Sequence, residues 1–443
     1  MQEARSRGLS AGLDPVAAGA EILDLARRLM PLPRSLTGDG VRETLRVVGE
    51  LVPLAVTEVP TGTPIFDWTT PREWNVAEAW IADSTGRRIV DRRESNLHLL
   101  GYSHPVRTTL TGAELDERLY SLPEFPNRIP YRTAYWADRW GFCVTEEQRR
   151  AIRPEEEYEV CVDARLEDGH LTYAEALLPG ETEDEVLLST YVCHPALAND
   201  NVSGIALLAV LGRHLADRPL RRSHRLVFSP GTLGPLAWLS RNLEHLDRIR
   251  AGLVVACVGD PGALRYKRSR AGETAVDRAA AYVLRGRPGS MVEDFVPWGG
   301  DERQFCSPGF DLPVGALTRT PHGLFPEYHS SADDLDLIDA ESLGDSLAAT
   351  LEILDVLDGD RTYVSRNPYG EPQLGRRGLY REVSSGAPRE EESFQRALLW
   401  VLNLADGGHS LLDVAERAGL PFAVVADAAS ALLDVDLLEE RQP

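Results

Sequence analysis

His194, Asp200, Asp260 and His329 are the residues of this chain whose types and positions suit metal chemistry. His194 follows the apolar run 185–192, and Asp200 comes six residues later, just before a helix-like run over 202–215. In open α/β sheets ligands collect at the carboxyl ends of strands beside helix starts, and histidine with a carboxylate is a natural pair for a zinc-type metal. Asp260 ends a second continuous apolar run, 251–259. His329 follows a third run, 311–318, in a loop that reads PEYHSSADDLD. Each residue also has a plainer reading: His194 as a hydrogen-bonded strand end, Asp260 as the opening of a turn with Pro261-Gly262, His329 as the cap of a helix near Ser331. Together, at the strand ends of one sheet, they point to a metal that polarises a carbonyl and activates water.

The elements that must position them read as α/β. The apolar runs are too uniform for half-exposed strands, so a doubly wound, mostly parallel sheet is expected over 166–365. Residues 14–56 carry a helical pattern broken by Pro31, Pro33 and the turn-like 37–40. From 57 to 165 the texture turns to short β-like pieces rich in Trp, Tyr, Pro and Thr, which predicts a β-rich inserted domain. Trp68, Trp74, Tyr131, Tyr135 and Trp136 either form its core or line a pocket. A polar stretch, 366–393, reads as a linker. Beyond it, 394–443 holds amphipathic runs broken at Gly419 and Pro421, the pattern of a small winged-helix-like domain.

The segments 33–45 (PRSLTGDGVRETL), 66–76, 129–144, 193–204 (CHPALANDNVSG), 299–314 (GGDERQFCSPGFDLPV) and 326–336 resemble the bacterial aminopeptidase-like domain proteins. That group is a distant branch of the di-zinc aminopeptidase clan, which also holds the glutaminyl cyclases. The resemblance spans nearly the whole chain. It implies a zinc aminopeptidase-like fold with the β-rich insert reaching over the site, and it places His194, Asp200, Asp260 and His329 as ligands of one or two zinc ions. Asp200 takes the bridging position. His194, Asp200 and Asp260 would make one site with an open position, and Asp200 with His329 a poorer second one.

One departure bears on activity. The clan carries a glutamate pair after the strand that here is 224–229, supplying the general base and a ligand, whereas this chain reads Ser229-Pro230-Gly231-Thr232. Gly231 cannot move a proton, and such a group typically contributes about 10²–10⁴-fold. Either a carboxylate from elsewhere takes over, with Asp301, Glu302 and Glu327 the candidates in motif terms, or ordinary peptide hydrolysis is impaired. Arg303, Arg319 and Tyr328 are candidates for holding substrate, the arginines through a two-point contact with a carboxylate. The function expected is metal-dependent hydrolysis of a small peptide-like or aminoacyl amide in a biosynthetic setting. The rivals are an acyl-transfer or cyclisation enzyme on the same metal, and a binding protein without turnover.

Charge narrows the partners. Forty-seven basic against 69 acidic side chains give a net charge of −22, which argues against nucleic acid and anionic membranes. From residue 397 onward Arg417 and Arg441 face eight acids, so the winged-helix-like tail is expected to serve packing or homo-oligomerisation and not DNA. The five cysteines are scattered with no C-x-x-C pair, and Cys193 and Cys257 lie in apolar strand context, where a buried structural thiol is expected. Without a signal-like or membrane-length apolar run, a cytoplasmic location is expected.

Overall fold

The computed structural model describes residues 8–379 and 389–441. They form two compact units, one of residues 14–348 and one of 349–443 with the start of the chain.

The larger unit is built on an eight-stranded sheet. Its strands are β1 (Ala55–Pro60), β2 (His170–Leu178), β3 (Thr182–Tyr191), β4 (Arg222–Ser229), β5 (Ile249–Val255), β6 (Arg265–Lys267), β7 (Met291–Glu293) and β8 (Val314–Thr318), in the spatial order β1-β2-β4-β3-β5-β8-β6-β7. The centre, β4-β3-β5-β8, is parallel. β2 joins β4 and β6 joins β8 antiparallel, which makes the sheet mixed. The uninterrupted apolar character of β3 and β5 follows from this placement: Val186, Leu187, Leu188 and Leu253 are fully buried, as central parallel strands covered on both faces require.

Helices cover the sheet. α1 (Pro15–Leu29) is capped by the Asp14 side chain, which accepts from Val16 N–H and Ala17 N–H. It ends at the prolines of 31–33, where helix geometry cannot continue. It packs on α2 (Ser203–Ala216), whose buried residues run almost all round because it lies between the sheet and α1. Because β3, β5 and β8 run in the same direction, they deliver their carboxyl ends to one edge, where the candidate site lies.

The β-rich insert lies between β1 and β2. Its main sheet is antiparallel, in the order Arg88–Asp91, Glu73–Ala82, Glu157–Glu167, Val106–Thr111. The expected bounds, 57–165, shift at both ends: residues 57–60 belong to β1 of the large sheet, and the last insert strand continues to Glu167. Period-two patterning does not mark which sheet a strand joins. Trp74 is core, stacked on Tyr102 at 5.5 Å with its Nε1 donating to Ser103 O. Trp68 and Trp136 instead form a tilted, exposed pair with ring centres 5.2 Å apart.

In the smaller unit a three-stranded sheet, ordered Asp406–Ser410, Thr362–Ser365, Leu438–Glu440, packs with helices Arg389–Leu404, Leu411–Ala418 and Phe422–Asp434. This moves the expected boundary. Residues 362–365, expected in the main domain, instead supply the central strand of this sheet, since two edge strands without it would leave their ladders unpaired. Of the expected linker 366–393, residues 380–388 lie outside the described residues, 374–377 form a 3₁₀ turn, and a helix has begun by Arg389. Among the described residues no helix is long and apolar enough to cross a membrane.

Candidate metal centre

His194, Asp200 and His329 converge. One ligand atom from each lies within 4.8 Å of the others, although 135 residues of sequence separate the first from the last. The stretch Asn199-Asp200-Asn201, between β3 and α2, explains how a carboxylate is aimed inward. The Asn201 side chain donates to Thr190 Oγ1 (2.7 Å) and Tyr191 O (3.2 Å) and accepts from Cys257 N–H (3.2 Å), tying β3 to the end of β5. Asn199 donates to Asp260 Oδ2 (2.9 Å) and accepts from Gly259 N–H (3.0 Å). Both asparagines are spent on scaffolding, and Asp200 between them is left for the site. Asp333 cradles the turn by accepting from Asn199 N–H (2.6 Å) and Asp200 N–H (3.0 Å). Gly204 is needed one turn on: a Cβ there would lie 2.5 Å from Asn201 Oδ1 and 2.6 Å from Val255 O.

His194 is held from below and from the side. Buried Arg34 donates through Nε to His194 O at 2.8 Å, and Cys193 Sγ lies 3.2 Å from His194 Nδ1. The insert supplies Tyr131, whose N–H donates to His329 O at 2.7 Å and whose ring lies 5.1 Å from both His194 and His329. Tyr328 stacks on His329 with ring centres 3.9 Å apart, and the Tyr131 and Tyr135 hydroxyls meet at 3.0 Å.

The electrostatics suit a cation. Burial pushes His194 down to about 4, which keeps the imidazole neutral and its lone pair available at pH 7. Burial alone would raise Asp200, but His194, His329 and His322 outweigh it and hold the carboxyl below its ordinary range. His329 Nε2 and Asp200 Oδ2 face each other at 3.1 Å, yet neither has a hydrogen-bond partner of acceptable direction. Buried polar atoms are nearly always partnered, and two that point into one space are what a metal would satisfy. Two imidazoles and a carboxylate are a donor set seen in catalytic zinc sites, with a position left for water or substrate.

The remaining expected residues divide. Asp260 does not join the cluster. Its strand ends earlier, at Val255, and its carboxylate accepts from Asn199 Nδ2, Thr320 N–H (3.1 Å), Thr320 Oγ1 (2.6 Å) and Gly262 N–H (2.8 Å). It is a scaffold residue. Arg319 is likewise consumed, donating to Gly262 O, Ser342 O, Asp345 and Ser346, so no fork is left for a substrate carboxylate. Arg303 keeps a buried Nε with no hydrogen-bond partner. Glu302 is fully buried and ion-paired with the chain's only lysine, Lys267, at 2.5 Å. Glu327 is half-exposed, 3.9 Å from an Arg128 nitrogen.

Asp301 fills the gap left at Gly231. A Cβ built on Gly231 would lie 3.0 and 3.1 Å from the two Asp301 carboxylate oxygens, and Asp301 Oδ2 is buried without a hydrogen-bond partner. Burial and the neighbouring Glu302 raise its carboxyl to about 7.

Three residues beside the cluster, Tyr191, Cys257 and His322, are not marked by the sequence. Tyr191 reads as one more residue of an apolar strand and Cys257 as a structural thiol. His322 sits in a loop with no periodicity to aim it. Cys257 lies at a positive φ of 49°, unusual for a non-glycine residue, at the end of β5.

A Clostridium acetobutylicum protein, whose name joins polysaccharide biosynthesis to an aminopeptidase-like domain, is 44% identical over 423 residues, covering 95% of this chain and 96% of its own length. A crystal structure from the same organism, named as a peptidase, superimposes with a TM-score of 0.90 at 42% identity over 96% of this chain and 97% of that one. The zinc aminopeptidase BSAP from Bacillus subtilis shares the fold, with a TM-score of 0.56 at 12% identity over 76% of this chain and 93% of its own. Residues 361–440 match a winged helix-turn-helix family. Residues 23–360 match the family described as Domain of unknown function (DUF4910), and with relatives this similar along its length the chain belongs to that family.

Proposed function

We propose that this protein is a metal-dependent hydrolase of a small peptide-like or aminoacyl amide, with zinc on His194, Asp200 and His329 and with Asp301 as the proton carrier. The observation that carries the reading is the buried pair Asp200 Oδ2 and His329 Nε2, which face each other at 3.1 Å beside His194 and have no other hydrogen-bond partner. A zinc ion there supplies a Lewis acid for the amide carbonyl. The protein supplies the rest. Arg34 and Asp333 fix the backbones of His194 and Asp200, so the ligands are preset. Asp301, standing where Gly231 leaves room, takes a proton from the attacking water and returns it to the amine that departs. A carboxyl near 7 is matched to both halves of that task. Arg303, with its unsatisfied Nε beside Asp301, is the group that remains for an anionic substrate end.

Tyr131 of the insert packs edge-on against His329 and Tyr328 stacks on it, which narrows the approach to the site and favours a small substrate over a folded protein. The name of the Clostridium relative suggests a place in the building of a polysaccharide. The test is elemental analysis of purified protein and of His194→Ala, alongside turnover of aminoacyl amides. Bound zinc that falls in the variant is expected. Protein that takes up no metal on titration overturns the reading.

A further inference from the structure

A second set of metal-type side chains, Asp200, Cys257 and His322, lies beside the first, again with one ligand atom from each within 4.8 Å of the others. A carboxylate shared between two such sets is the arrangement of a two-metal site. The space between these three atoms already holds an oxygen. The Tyr191 hydroxyl makes a short hydrogen bond to Asp200 Oδ1, lies 2.8 Å from His322 Nε2 and 3.9 Å from Cys257 Sγ.

We propose that the Tyr191 hydroxyl holds the position of a second cation, so that the site takes one metal per chain, bound to Asp200 through Oδ2 alone. This rests on the metal reading above and limits it. Zinc binds carboxylate, imidazole and thiolate at about 2.0–2.3 Å. An ion at such distances from all three groups would fall in the volume of the phenol oxygen. The ring cannot easily leave. Tyr191 is 4% exposed, its backbone is paired in β3, and its ring lies 5.2 Å from that of His194 and 5.9 Å from that of His322.

The hydrogen bonds have one consistent direction. An ionised Asp200 only accepts, so the phenol donates to Oδ1. The phenol has one hydrogen, so His322 must carry its own on Nε2 and donate to the phenol oxygen. With Oδ1 engaged by the phenol, Oδ2, which faces His329 Nε2 and has no hydrogen-bond partner, is the oxygen turned to the first cluster. Tyr191 is therefore a positioning residue: it turns a potential bridging carboxylate into a ligand for one ion.

The experiment is titration of metal-free full-length protein with Co(II), counting equivalents and watching the near-ultraviolet region, where a thiolate ligand gives a charge-transfer band. Wild type and Cys257→Ala should each take one equivalent with no such band. Tyr191→Phe should take a second equivalent and gain the band, and adding Cys257→Ala should remove both. Two equivalents in wild type, with a band that Cys257→Ala abolishes, overturns the proposal. So does a folded Tyr191→Phe protein that stays at one. If Tyr191→Phe does not fold, the wild-type and Cys257→Ala pair still decides. Uptake of no cobalt by wild type is a distinct result, since it removes the metal reading underneath.

Discussion

Asp301 is where the departure at position 231 is answered, side chain for side chain. Gly231 leaves room in one loop, and a carboxyl from another loop stands within 3.0 and 3.1 Å of where a Cβ would lie. If Asp301 acts as the base, the rate should fall as pH drops below about 7, where its carboxyl gains a proton. Asp301→Asn should lose that acid limb and about 10²–10⁴-fold in kcat, which a pH–rate profile reads directly. Stability should move the other way. The carboxyl is raised in the folded state above its unfolded value of about 3.9, so its contribution is fully present below that value and is lost as pH rises to about 7. Asp301→Asn should therefore melt higher than wild type at pH 8 and show no such gain at pH 4. Gly231→Glu alone should lower hydrolysis, because its side chain must push Asp301 aside. The double change with Asp301→Gly should recover more activity than Gly231→Glu, and equal activities would remove the idea that the two positions share one space.

At the level of elements, the parallel strands were legible because burial on both faces writes a continuous apolar run, and His194 and Asp200 were legible because they follow such a run directly. His329 was found by its motif. Asp260 misled because the apolar run 251–259 outlasts the strand, which stops at Val255. The residues after it form a turn that spends the carboxylate on Asn199 and Thr320. Tyr191 and Cys257 were hidden for the opposite reason: inside an apolar run, composition does not say which side chain carries a polar atom to the strand end. His322 had no pattern to reveal it. Arg34 links α1 to the strand-end loop through Leu29 O and His194 O, a role that its place in a polar turn does not announce. Arg34→Met should cost about 1.5–3 kcal/mol for each charged hydrogen bond lost, and should weaken metal binding as well. Calorimetry with and without zinc checks both, and a variant with unchanged affinity would mean that the loop is held without Arg34.

For the molecule as a whole, a winged helix-turn-helix unit follows the peptidase-like one, and its sequence match and its charge pull in different directions. Helix Phe422–Asp434, the would-be reader, has no basic residue. Duplex affinity rests on cations that displace counterions, so the full-length protein should show no salt-sensitive binding to double-stranded DNA in a mobility-shift or anisotropy assay. Binding that weakens steeply with salt would reverse that assignment. Fold class was readable at this scale because strands and helices alternate. The boundary near residue 362 was not, because a four-residue strand carries too little pattern to show which sheet it will join.

The hydrogen bond from Arg34 to His194 spans 160 positions of the chain, and that from Tyr131 to His329 spans 198. Contacts of such long range form late, after the cost of closing large loops has been met. A nascent chain therefore has no finished candidate metal site until its beginning, its insert and residues near 330 have come together. If that site holds zinc as proposed, metal bound only by the final arrangement stabilises it by mass action, and zinc supply during synthesis should decide yield. Cells starved of the ion should accumulate protein whose amide hydrogens near residues 194–204 and 322–333 exchange faster than those of β3 and β5.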